Sequence, residues 1–385
     1  MAASGPLSGI TVVDLSRILA GPYCTFLMAE LGARVIKVEP PGKGDDAREY
    51  GPFKNGVSTY FASVNRGKES IALDLKAPAD KRIFEALLGR ADAIVENFRP
   101  GTMEKLGYGW ETLHPRYPRL IYASASGFGH TGPFSNYPAY DMVVQGLGGI
   151  MSITGHPGQP PVRIGMSIGD IGAGLYTAVA VHAALLHRER TGEASKVDIA
   201  MFDCQLALLE NAIMRYTVTG EVPGPLGARH PSITPFEAMA TADGHIIVAA
   251  GNDGLYQKLC AALGRPDLAE NPDYRSNDLR NRNHDRLKAE IEKELERKPT
   301  ADWIAIIEKA GVPCGPINNV AQALAHPQVE ARNMLVSVDD PKAGALKLAG
   351  NPLKLSAFPD PPTRSPAPAL DADRAKLLRE LGLEG

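Results

Sequence analysis

The residues best placed to do chemistry surround Asp170, in the stretch PVRIGMSIGDIGAGLY at 161–176. Glycines at 169, 172 and 174 would let a bound molecule come close to this carboxylate. We expect Asp170 to end a loop and open a helix, whose dipole would keep the carboxylate ionised around neutral pH. An ionised carboxylate can attack an acyl carbon and form a covalent intermediate. Capping the helix is the alternative role for the same side chain.

Two further segments could serve such a centre. Arg99 and Lys105 lie in ENFRPGTMEKLG at 96–107, where a strand is predicted to end and a helix to begin. That position suits a phosphate group, although a solvated loop has the same composition. Gly251–Gly254 directly follows a hydrophobic run and forms either a plain turn or a mobile flap over a reaction centre.

The elements that must position these residues alternate between β-rich and amphipathic runs. Strands are predicted at Ile10–Leu15, Val35–Glu39, Ser70–Leu75, Ala93–Glu96, Leu120–Ser124 and Lys196–Met201. Helices are predicted at Pro22–Leu31, Ala79–Leu88, Ala173–Arg190 and Gln205–Thr217. Strands that alternate with helices are typical of an α/β fold with a mostly parallel, doubly wound sheet.

The first turn of such a sheet does not favour a dinucleotide. It reads SRILAGP at 16–22, which lacks GxGxxG, and Glu39 is only a partial match to the ribose-binding acid. Ligands of doubly wound sheets bind beyond the carboxyl ends of the strands. The turn could therefore still hold a nucleotide-containing ligand through its backbone.

A second, smaller domain is predicted after a connector rich in Pro and Gly. We place the N-terminal part of the large domain at 1–217, the connector at 218–235, a small α+β domain at 236–330 and a return to the large domain at 331–385. Asp243-Gly244 between apolar runs predicts a hairpin. Helices are expected at Leu255–Leu263, His284–Arg297, Ala301–Lys309 and Asp371–Leu381, with Thr300 as the cap of the third.

Composition excludes several classes of protein. The 39 glycines and 31 prolines among 385 residues exceed ordinary usage but fall short of a disordered chain. A formal net charge of −3 gives no basic footprint for nucleic acid. The N-terminus does not resemble a signal peptide, and the longest apolar stretch is interrupted by His182, so we expect a cytoplasmic protein with no membrane span. Reduced, mostly buried thiols are expected at Cys24, Cys204, Cys260 and Cys314.

A series of motifs resembles the class III CoA-transferases, the CaiB/BaiF family that includes formyl-CoA and carnitine-CoA transferases. The matching stretches run in family order across nearly the whole chain. They are DLSRILAGPYC at 14–24, ELGARVIKVEPPGKGD at 30–45, ENFRPGTMEKLGYG at 96–109, SASGFGHTGP at 124–133, YDMVVQGLGGIMSITG at 140–155, GD at 169–170, RTGEASKVDIAMFD at 190–203, TADGHIIVAAGND at 241–253 and GVPCGPINNVAQALAHPQV at 311–329.

The resemblance implies that Asp170 is the catalytic aspartate. It would attack an acyl-CoA thioester, and an acyl-aspartyl anhydride and an aspartyl-CoA thioester would follow before CoA reaches the acceptor acid. No metal is implied. Backbone N–H groups around Asp170 would stabilise the oxyanions. A glycine-containing flap would shield these intermediates from water, and it corresponds here to Gly251, Asn252, Asp253 and Gly254.

The resemblance also implies where coenzyme A is bound. The matching positions are Arg17, Ile18, Leu19, Ala20, Leu75, Lys76, Asn97, Phe98, Arg99, Lys105, Tyr140 and Met201. One departure concerns adenine, because Pro40 stands where the family often has a basic residue after the second strand. Lys43 or Arg48 would then take over the adenine contact.

The family fold implies an interlocked-ring homodimer. In each chain, a Rossmann-like large domain is built from both ends and a small α+β domain lies between them. The connector at 218–235 and the Pro-rich stretch at 351–369 suit such threading. We expect an acyl-CoA donor, succinyl-CoA, and a small carboxylic acid acceptor of the short dicarboxylate type. Arg163, Arg229 and His230 are candidates for holding its distal carboxylate.

Two other functions are compatible with parts of the sequence. An α-methylacyl-CoA racemase needs a His and an Asp across the α-carbon, but Ala139-Tyr140-Asp141 replaces the required Gly-His-Asp. His130 and His156 lie elsewhere in the sequence. A non-catalytic CoA-binding protein would have no need of an intact Asp170. The sequence AAGNDG, in place of consecutive glycines, disfavours formate and oxalate as acceptors.

Overall fold

A computed structural model describes residues 5–384. The chain divides into two compact units. The first contains the residues up to Ser152, those from Arg163 to Pro223, and those from Pro327 onward. The second contains Ile153–Val162 and Gly224–His326. The stretch Ile153–Val162, which the sequence analysis placed in the large domain, joins the second unit because the Gly155 carbonyl accepts a hydrogen bond from the Gly227 N–H at 2.8 Å.

The strands and helices follow the alternation expected from the sequence. The strands are β1 Thr11–Asp14, β2 Arg34–Glu39, β3 Phe53–Lys54, β4 Val57–Ser58, β5 Glu69–Ala72, β6 Ala93–Glu96, β7 Ile121–Ser126, β8 Lys196–Ala200, β9 Phe236–Thr241, β10 Gly244–Ala249, β11 Cys314–Pro316, β12 Leu335–Asp340, β13 Gly344–Ala349 and β14 Thr363–Arg364. The helices are α1 Ala20–Glu30, α2 Thr59–Asn65, α3 Pro78–Leu88, α4 Thr102–Leu106, α5 Trp110–Arg116, α6 Asp141–Leu147, α7 Ile168–Thr191, α8 Met201–Leu208, α9 Glu210–Thr219, α10 Asp253–Ala262, α11 Pro266–Glu270, α12 Asn277–Arg282, α13 His284–Leu295, α14 Thr300–Lys309, α15 Val320–Leu324, α16 Pro327–Ala331 and α17 Arg374–Leu381.

The first unit is built on a parallel sheet of six strands in the order β5-β2-β1-β6-β7-β8. Every neighbouring pair in it is parallel. This is the strand order of a Rossmann-like fold, in which the direction of winding reverses between β1 and β6. The predicted α/β fold with a doubly wound parallel sheet is confirmed.

Helices cover both faces of this sheet. Val12 and Val13 are neighbours in β1 that point to opposite faces, and both are fully buried. Val12 packs in a cluster with α1 and α7, whereas Val13 packs in a cluster with α3 and α17. The helix α7 is long and apolar enough to cross a membrane by length and composition alone, but its buried side chains lie in the cluster on the sheet.

Three predicted boundaries are wrong. Helix α7 begins at Ile168, so Asp170 lies inside its first turn rather than opening it. The helix predicted over 205–217 is two helices, α8 and α9, separated at Leu209. Thr300 is the first residue of α14 and does not cap it; its N–H and its hydroxyl both donate to the Asp243 carboxylate.

A hairpin of β12 and β13 in the first unit was not predicted. It alternates buried Val336 and Val338 with less buried neighbours, which is a strand pattern that the sequence analysis overlooked. In the second unit, β9 and β10 form the predicted hairpin, with β11 added antiparallel to β10. Helices α10, α13 and α14 contribute to a single apolar core on this sheet.

Two of the glycines beside Asp170 serve helix packing rather than access for a ligand. A Cβ on Gly174 would lie 2.7 Å from the Ala20 carbonyl oxygen, so this glycine lets α7 and α1 approach each other. A Cβ on Gly169 would lie 2.7 Å from Val144 on α6. A Cβ on Gly172 would make only ordinary contacts, with Leu208 at 3.4 Å and Gln205 at 4.0 Å. The interpretation of these glycines as space for a bound molecule is therefore wrong for Gly169 and Gly174.

The two helical glycines at 172 and 174 form a matched pair for a stability test. Gly174→Ala should lower the free energy of unfolding by about 1–3 kcal/mol, because its methyl group would overlap backbone. Gly172→Ala should leave it unchanged or raise it by up to about 1 kcal/mol, because alanine favours the helix and has room. Urea unfolding of both variants measures the difference. Equal destabilisation would contradict the packing argument.

Candidate active site

The turn after β1 and the segment after β6 meet at the carboxyl edge of the sheet. The Asn97 side-chain oxygen accepts from the Arg17 N–H at 2.7 Å, and its amide nitrogen donates to the Arg17 carbonyl at 2.8 Å. The Arg17 guanidinium lies 5.1 Å from the centre of the Phe98 ring. Because the winding of the sheet reverses between these two strands, their ends border the crevice in which such folds bind ligands.

The predicted coenzyme A contacts separate into exposed and buried side chains. Exposed side chains belong to Lys76, Arg99, Lys105 and Tyr140, and half-buried ones to Arg17, Ile18, Asn97 and Phe98. Buried side chains belong to Leu19, Ala20, Leu75 and Met201. The buried residues are part of apolar clusters, so only their backbone could meet a ligand.

Two cations at the end of β6 are available to an anionic ligand. Within residues 5–384, neither Arg99 nor Lys105 forms an ion pair. Glu96 precedes them at the end of the strand, and burial raises its pKa to about 8, so it is mostly uncharged at neutral pH. Its Oε2 accepts from the Phe98 N–H at 2.7 Å. The segment therefore presents two unpaired cations, Arg99 and Lys105, with Glu104 as the exposed carboxylate beside them.

Arg48 and Lys43, which were expected to replace the missing basic residue after β2, both form ion pairs within the protein. Arg48 binds both carboxylate oxygens of Glu39 at 2.7 Å and lies 3.8 Å from the centre of the Phe61 ring. Lys43 pairs with Asp46 at 2.9 Å and with Glu49 at 3.3 Å. The expectation that one of them contacts adenine gains no support, since Arg48 would have to break a partly buried ion pair.

Asp141, rather than Asp170, binds the start of α7. Asp141 Oδ1 accepts from the Gly169 N–H at 2.8 Å, and its Oδ2 accepts from the Gln145 side chain at 2.8 Å. Ser167, which precedes α7, makes no side-chain cap. The capping role considered for Asp170 therefore belongs to a residue on α6. The Gly169 N–H is also taken by this contact, so it is not available to an oxyanion.

The Asp170 carboxylate is half-buried and accepts no hydrogen bond from any residue that the structure describes. Burial and, to a smaller extent, the negative charge of Asp141 together raise its pKa to about 7 from an ordinary value of 3.8. The expectation that the helix dipole keeps this carboxylate ionised near pH 7 is met only in part, because desolvation and a like charge oppose the dipole. Asp170 is thus a carboxylate poised to gain or lose a proton near pH 7.

Tyr60 lies within electrostatic range of Asp170, which was not predicted from the sequence. Burial raises the pKa of the Tyr60 phenol to about 12, and the charge of Asp170 contributes to that shift. The phenol therefore stays protonated and can donate a hydrogen bond within the electrostatic range of Asp170. Asp141 was missed as well, apart from its place in the absent racemase motif. No sequence signal points to either residue, since Tyr60 lies 110 positions from Asp170 and only folding brings them together.

The three candidates for binding an acceptor's distal carboxylate fall in different units. Arg163 lies in the first unit, with Nη2 3.8 Å from Asp141 Oδ2. Arg229 and His230 lie in the second unit. Arg229 donates to the Asn281 carbonyl at 3.3 Å, and the His230 ring accepts from the Ser232 N–H at 3.2 Å. Of the three, only Arg163 is shown to share the surroundings of Asp141.

The segment predicted as a flap is the start of a helix in the second unit. The Asn252 side chain caps α10 by accepting from the Leu255 N–H at 2.9 Å. Asp253 accepts from the buried Arg280 at 2.7 Å. A large movement of Gly251–Gly254 would break both contacts, so a shielding role requires little motion of this segment.

No imidazole acts on Asp170 in the described part of the chain, where Asp141 is the one charged group that shifts its pKa. His130 instead lies with Nε2 3.9 Å from Glu96 Oε1 and with Nδ1 3.3 Å from the Lys196 ammonium. No group of three or more metal-ligating side chains occurs among residues 5–384. The geometry thus offers carboxylate chemistry at Asp170 without a paired histidine.

The chain matches one family model over most of its length. The family model described as CoA-transferase family III matches residues 7–374. The chain belongs to this family. It is therefore an enzyme of the transferase class that acts on CoA thioesters, and the family resemblance seen in the sequence motifs is confirmed.

Curated relatives are similar to this member of CoA-transferase family III over almost its full length. An acetyl-CoA:oxalate CoA-transferase of Acetobacter aceti is 47% identical, covering 98% of this chain and 96% of its own. A succinyl-CoA:mesaconate CoA-transferase of Haloarcula hispanica is 42% identical, with 98% and 97% covered. The human succinyl-CoA:glutarate CoA-transferase is 37% identical, with 98% and 86% covered. The crystal structure of a CAIB/BAIF family protein from Brucella suis is 39% identical, with a TM-score of 0.85 over 98% of this chain and 99% of that one.

The charge of Asp141 should affect the pH at which activity appears. If ionised Asp170 is needed, activity should rise with pH through about 7. Asp141→Asn retains an oxygen for the Gly169 N–H but removes the negative charge, so the pKa of Asp170 falls. The acid limb of the pH profile of kcat/KM should then move to lower pH by up to about one unit, because burial, the larger cause, remains. An unmoved or raised acid limb would contradict this electrostatic coupling.

Proposed function

We propose that this CoA-transferase moves coenzyme A from an acyl-CoA donor to a small carboxylic acid through covalent intermediates on Asp170. The observation that carries the proposal is a half-buried carboxylate that accepts no hydrogen bond from the described chain and whose pKa is raised to about 7. A carboxylate without hydrogen-bond donors is a better nucleophile than a solvated one, because attack does not require those bonds to break. Its place in a CoA-transferase gives it an acyl thioester to attack.

Four acyl transfers would complete the exchange. The Asp170 carboxylate attacks the donor thioester, the C–S bond breaks, and a mixed anhydride and CoA thiolate form. The thiolate attacks the Asp170 acyl carbon, which releases the donor acid and leaves an aspartyl-CoA thioester. The acceptor carboxylate then displaces the thiolate to give a second anhydride. Attack of the thiolate on the acceptor's acyl carbon releases the new acyl-CoA and regenerates Asp170.

The raised pKa of Asp170 suits both halves of this exchange. At neutral pH a substantial part of the protein has Asp170 ionised and able to attack. Loss of the carboxylate charge on acylation relieves the repulsion from Asp141 and the cost of keeping a charge in a half-buried place. The environment thus disfavours the free anion relative to the neutral acyl intermediate.

Phosphate groups of coenzyme A would be held by the exposed cations at the carboxyl edge of the sheet. We assign this role to Lys76, Arg99 and Lys105, because the latter two are unpaired and the uncharged Glu96 does not oppose an anion. The turn Arg17–Ala20 would contact the ligand through its backbone, since the side chains of Leu19 and Ala20 are buried. Phosphate binding of this kind needs no GxGxxG motif after β1, because Lys76, Arg99 and Lys105 supply the positive charge.

The acceptor that we propose is a short dicarboxylate, with succinyl-CoA as donor. Relatives named for mesaconate and glutarate use succinyl-CoA as the named donor. Another relative is named for acetyl-CoA and oxalate, which returns oxalate to the acceptors to be tested, although the sequence analysis had set it aside. Arg163 is the candidate for the distal carboxylate, because its guanidinium is exposed and lies 3.8 Å from Asp141.

A homodimer is supported by apolar side chains that the first unit leaves exposed. Helix α9 buries none of its residues, although it carries Ile213, Met214, Tyr216 and Val218 on its surface. Leu175, Tyr176 and Val179 are exposed on α7. An apolar surface of this extent on one unit is typical of an interface. We propose that a second copy of the chain covers it.

Substitution of Asp170 tests the mechanism. Asp170→Asn should lower the transfer rate at least about a thousandfold, because an amide cannot form the anhydride. Asp339→Asn, at an exposed carboxylate of the same unit, is the matched control and should keep full activity. Size-exclusion chromatography with light scattering should show the same dimer for both. Adding hydroxylamine with acyl-CoA should leave a hydroxamate on the peptide containing Asp170. An active enzyme without this adduct would argue for direct transfer between the substrates.

A screen of acceptors tests the substrate class. Succinyl-CoA and acetyl-CoA would each be incubated with oxalate, mesaconate, glutarate and a monocarboxylate, and the CoA esters read by mass spectrometry. We expect transfer to dicarboxylates and little to the monocarboxylate. Arg163→Met should raise KM for the dicarboxylate about tenfold or more, because a guanidinium–carboxylate contact is lost. Equal use of mono- and dicarboxylates would overturn the assignment of the acceptor class but not of the family.

A further inference from the structure

The turn that follows β1 contains a strained residue. Ile18 has a φ of +65°, in the left-handed region that a β-branched side chain rarely occupies. Such a conformation persists only where surrounding contacts determine it. The turn lies at the point where the winding of the sheet reverses, so the strain occurs at the crevice in which we place coenzyme A.

Side chains from three other segments hold the backbone of this turn. Asp45 Oδ1 accepts from the Ile18 N–H at 3.0 Å. Lys37 Nζ donates to the Ser16 carbonyl at 2.7 Å. Asn97 binds both the N–H and the carbonyl of Arg17. Polar backbone atoms of three successive residues are therefore satisfied by side chains rather than by secondary structure.

Two of these side chains form one buried unit. Lys37 Nζ lies 2.9 Å from Asp45 Oδ2, and both side chains are almost completely buried. The Asp45 N–H donates to Glu39 Oε2 at 2.9 Å, which joins the pair to the end of β2. Burial would raise the pKa of Asp45, but the charge of Lys37 and the hydrogen bonds outweigh it, so the pKa is lowered and the carboxylate is ionised. An ion pair buried in this way resists displacement of either partner.

These contacts leave only some of the backbone groups of the turn free to bind a ligand. The N–H groups of Arg17 and Ile18 are occupied, as is the Arg17 carbonyl. Leu19 is the residue before α1, and no side chain caps the first amides of this helix. A ligand that contacts this turn can therefore bind only to the backbone groups that Lys37, Asp45 and Asn97 leave free.

We propose that the Lys37–Asp45 pair is a positioning device that holds Ile18 in its strained conformation and so presents the turn to the nucleotide part of coenzyme A. The inference rests on the proposed function. Neither residue touches the ligand in this arrangement. Both act through the backbone of residues 16–18, so their loss should weaken acyl-CoA binding and leave the chemistry at Asp170 intact.

Three variants test this role in the full-length protein. Asp45→Ala removes the acceptor for the Ile18 N–H and should raise KM for acyl-CoA about tenfold, with kcat within about threefold of wild type. Asp45→Asn keeps a carbonyl oxygen at that position and should restore much of the affinity. Asp92→Ala is the matched control, because Asp92 also accepts a backbone N–H, that of Thr11 at 2.8 Å, and also pairs with a buried arginine, Arg188 at 2.9 Å. It should lower stability without changing KM.

Calorimetric titration with CoA itself separates this inference from the proposed function. A wild-type protein that binds CoA, together with an Asp45→Ala variant whose affinity and KM are unchanged, would overturn the positioning role alone. The same KM increase in Asp92→Ala and Asp45→Ala would also overturn it, because general destabilisation would then explain both. A wild-type protein that neither binds CoA nor transfers it would overturn the proposed function and this inference with it.

A double-mutant comparison tests the link to strain. Ile18→Gly removes the cost of the positive φ, so Asp45 would no longer need to hold the turn. The loss in urea midpoint caused by Asp45→Ala should be smaller in the Ile18→Gly background than in the wild-type background. An equal loss in both would show that Asp45 does not restrain Ile18.

Discussion

The hydrogen bond from the Gly169 N–H to the Asp141 carboxylate determines how the candidate site works. It caps α7 from a neighbouring helix, so Asp170 is released from the capping role that its position in the sequence suggests. It also holds a second negative charge within electrostatic range of the half-buried Asp170. The same contact therefore sets the start of the helix and opposes the ionised form of the proposed nucleophile.

The turn after β1 depends on buried charge of another kind. At the carboxyl end of β1, Lys37 and Asp45 neutralise each other inside the protein and hold a backbone turn that does not form regular structure. Asp170, by contrast, accepts no hydrogen bond from the described residues and has no cation paired with it. The two arrangements suit different tasks. Paired charges hold the turn at which we propose that coenzyme A is bound, whereas an unpaired carboxylate keeps the reactivity that the proposed covalent exchange requires.

Much of the fold follows from local patterns. Valine-rich runs such as β1 and β2 predict strands, and amphipathic runs such as α3 and α13 predict helices, because both patterns arise from burying one side of an element. The failures occur where a distant residue decides. Helix α7 starts two residues before Asp170 because Asp141 supplies the cap. Thr300 enters α14 because Asp243, on the β9–β10 turn, binds its N–H and hydroxyl. Neither partner is recognisable from the sequence around the helix that it caps.

The sequence by itself determined the family, the doubly wound sheet, and Asp170 as the carboxylate to examine, because these depend on residue types and their order along the chain. Only the tertiary structure decided the properties of that carboxylate. Desolvation and the charge of Asp141 raise its pKa, its own charge raises the pKa of Tyr60, and Gly174 proves to be a contact between helices rather than an opening for a ligand. Burial and electrostatic interactions depend on distances in space, and residues as far apart in the chain as Tyr60 and Asp170 acquire such distances only when the chain folds.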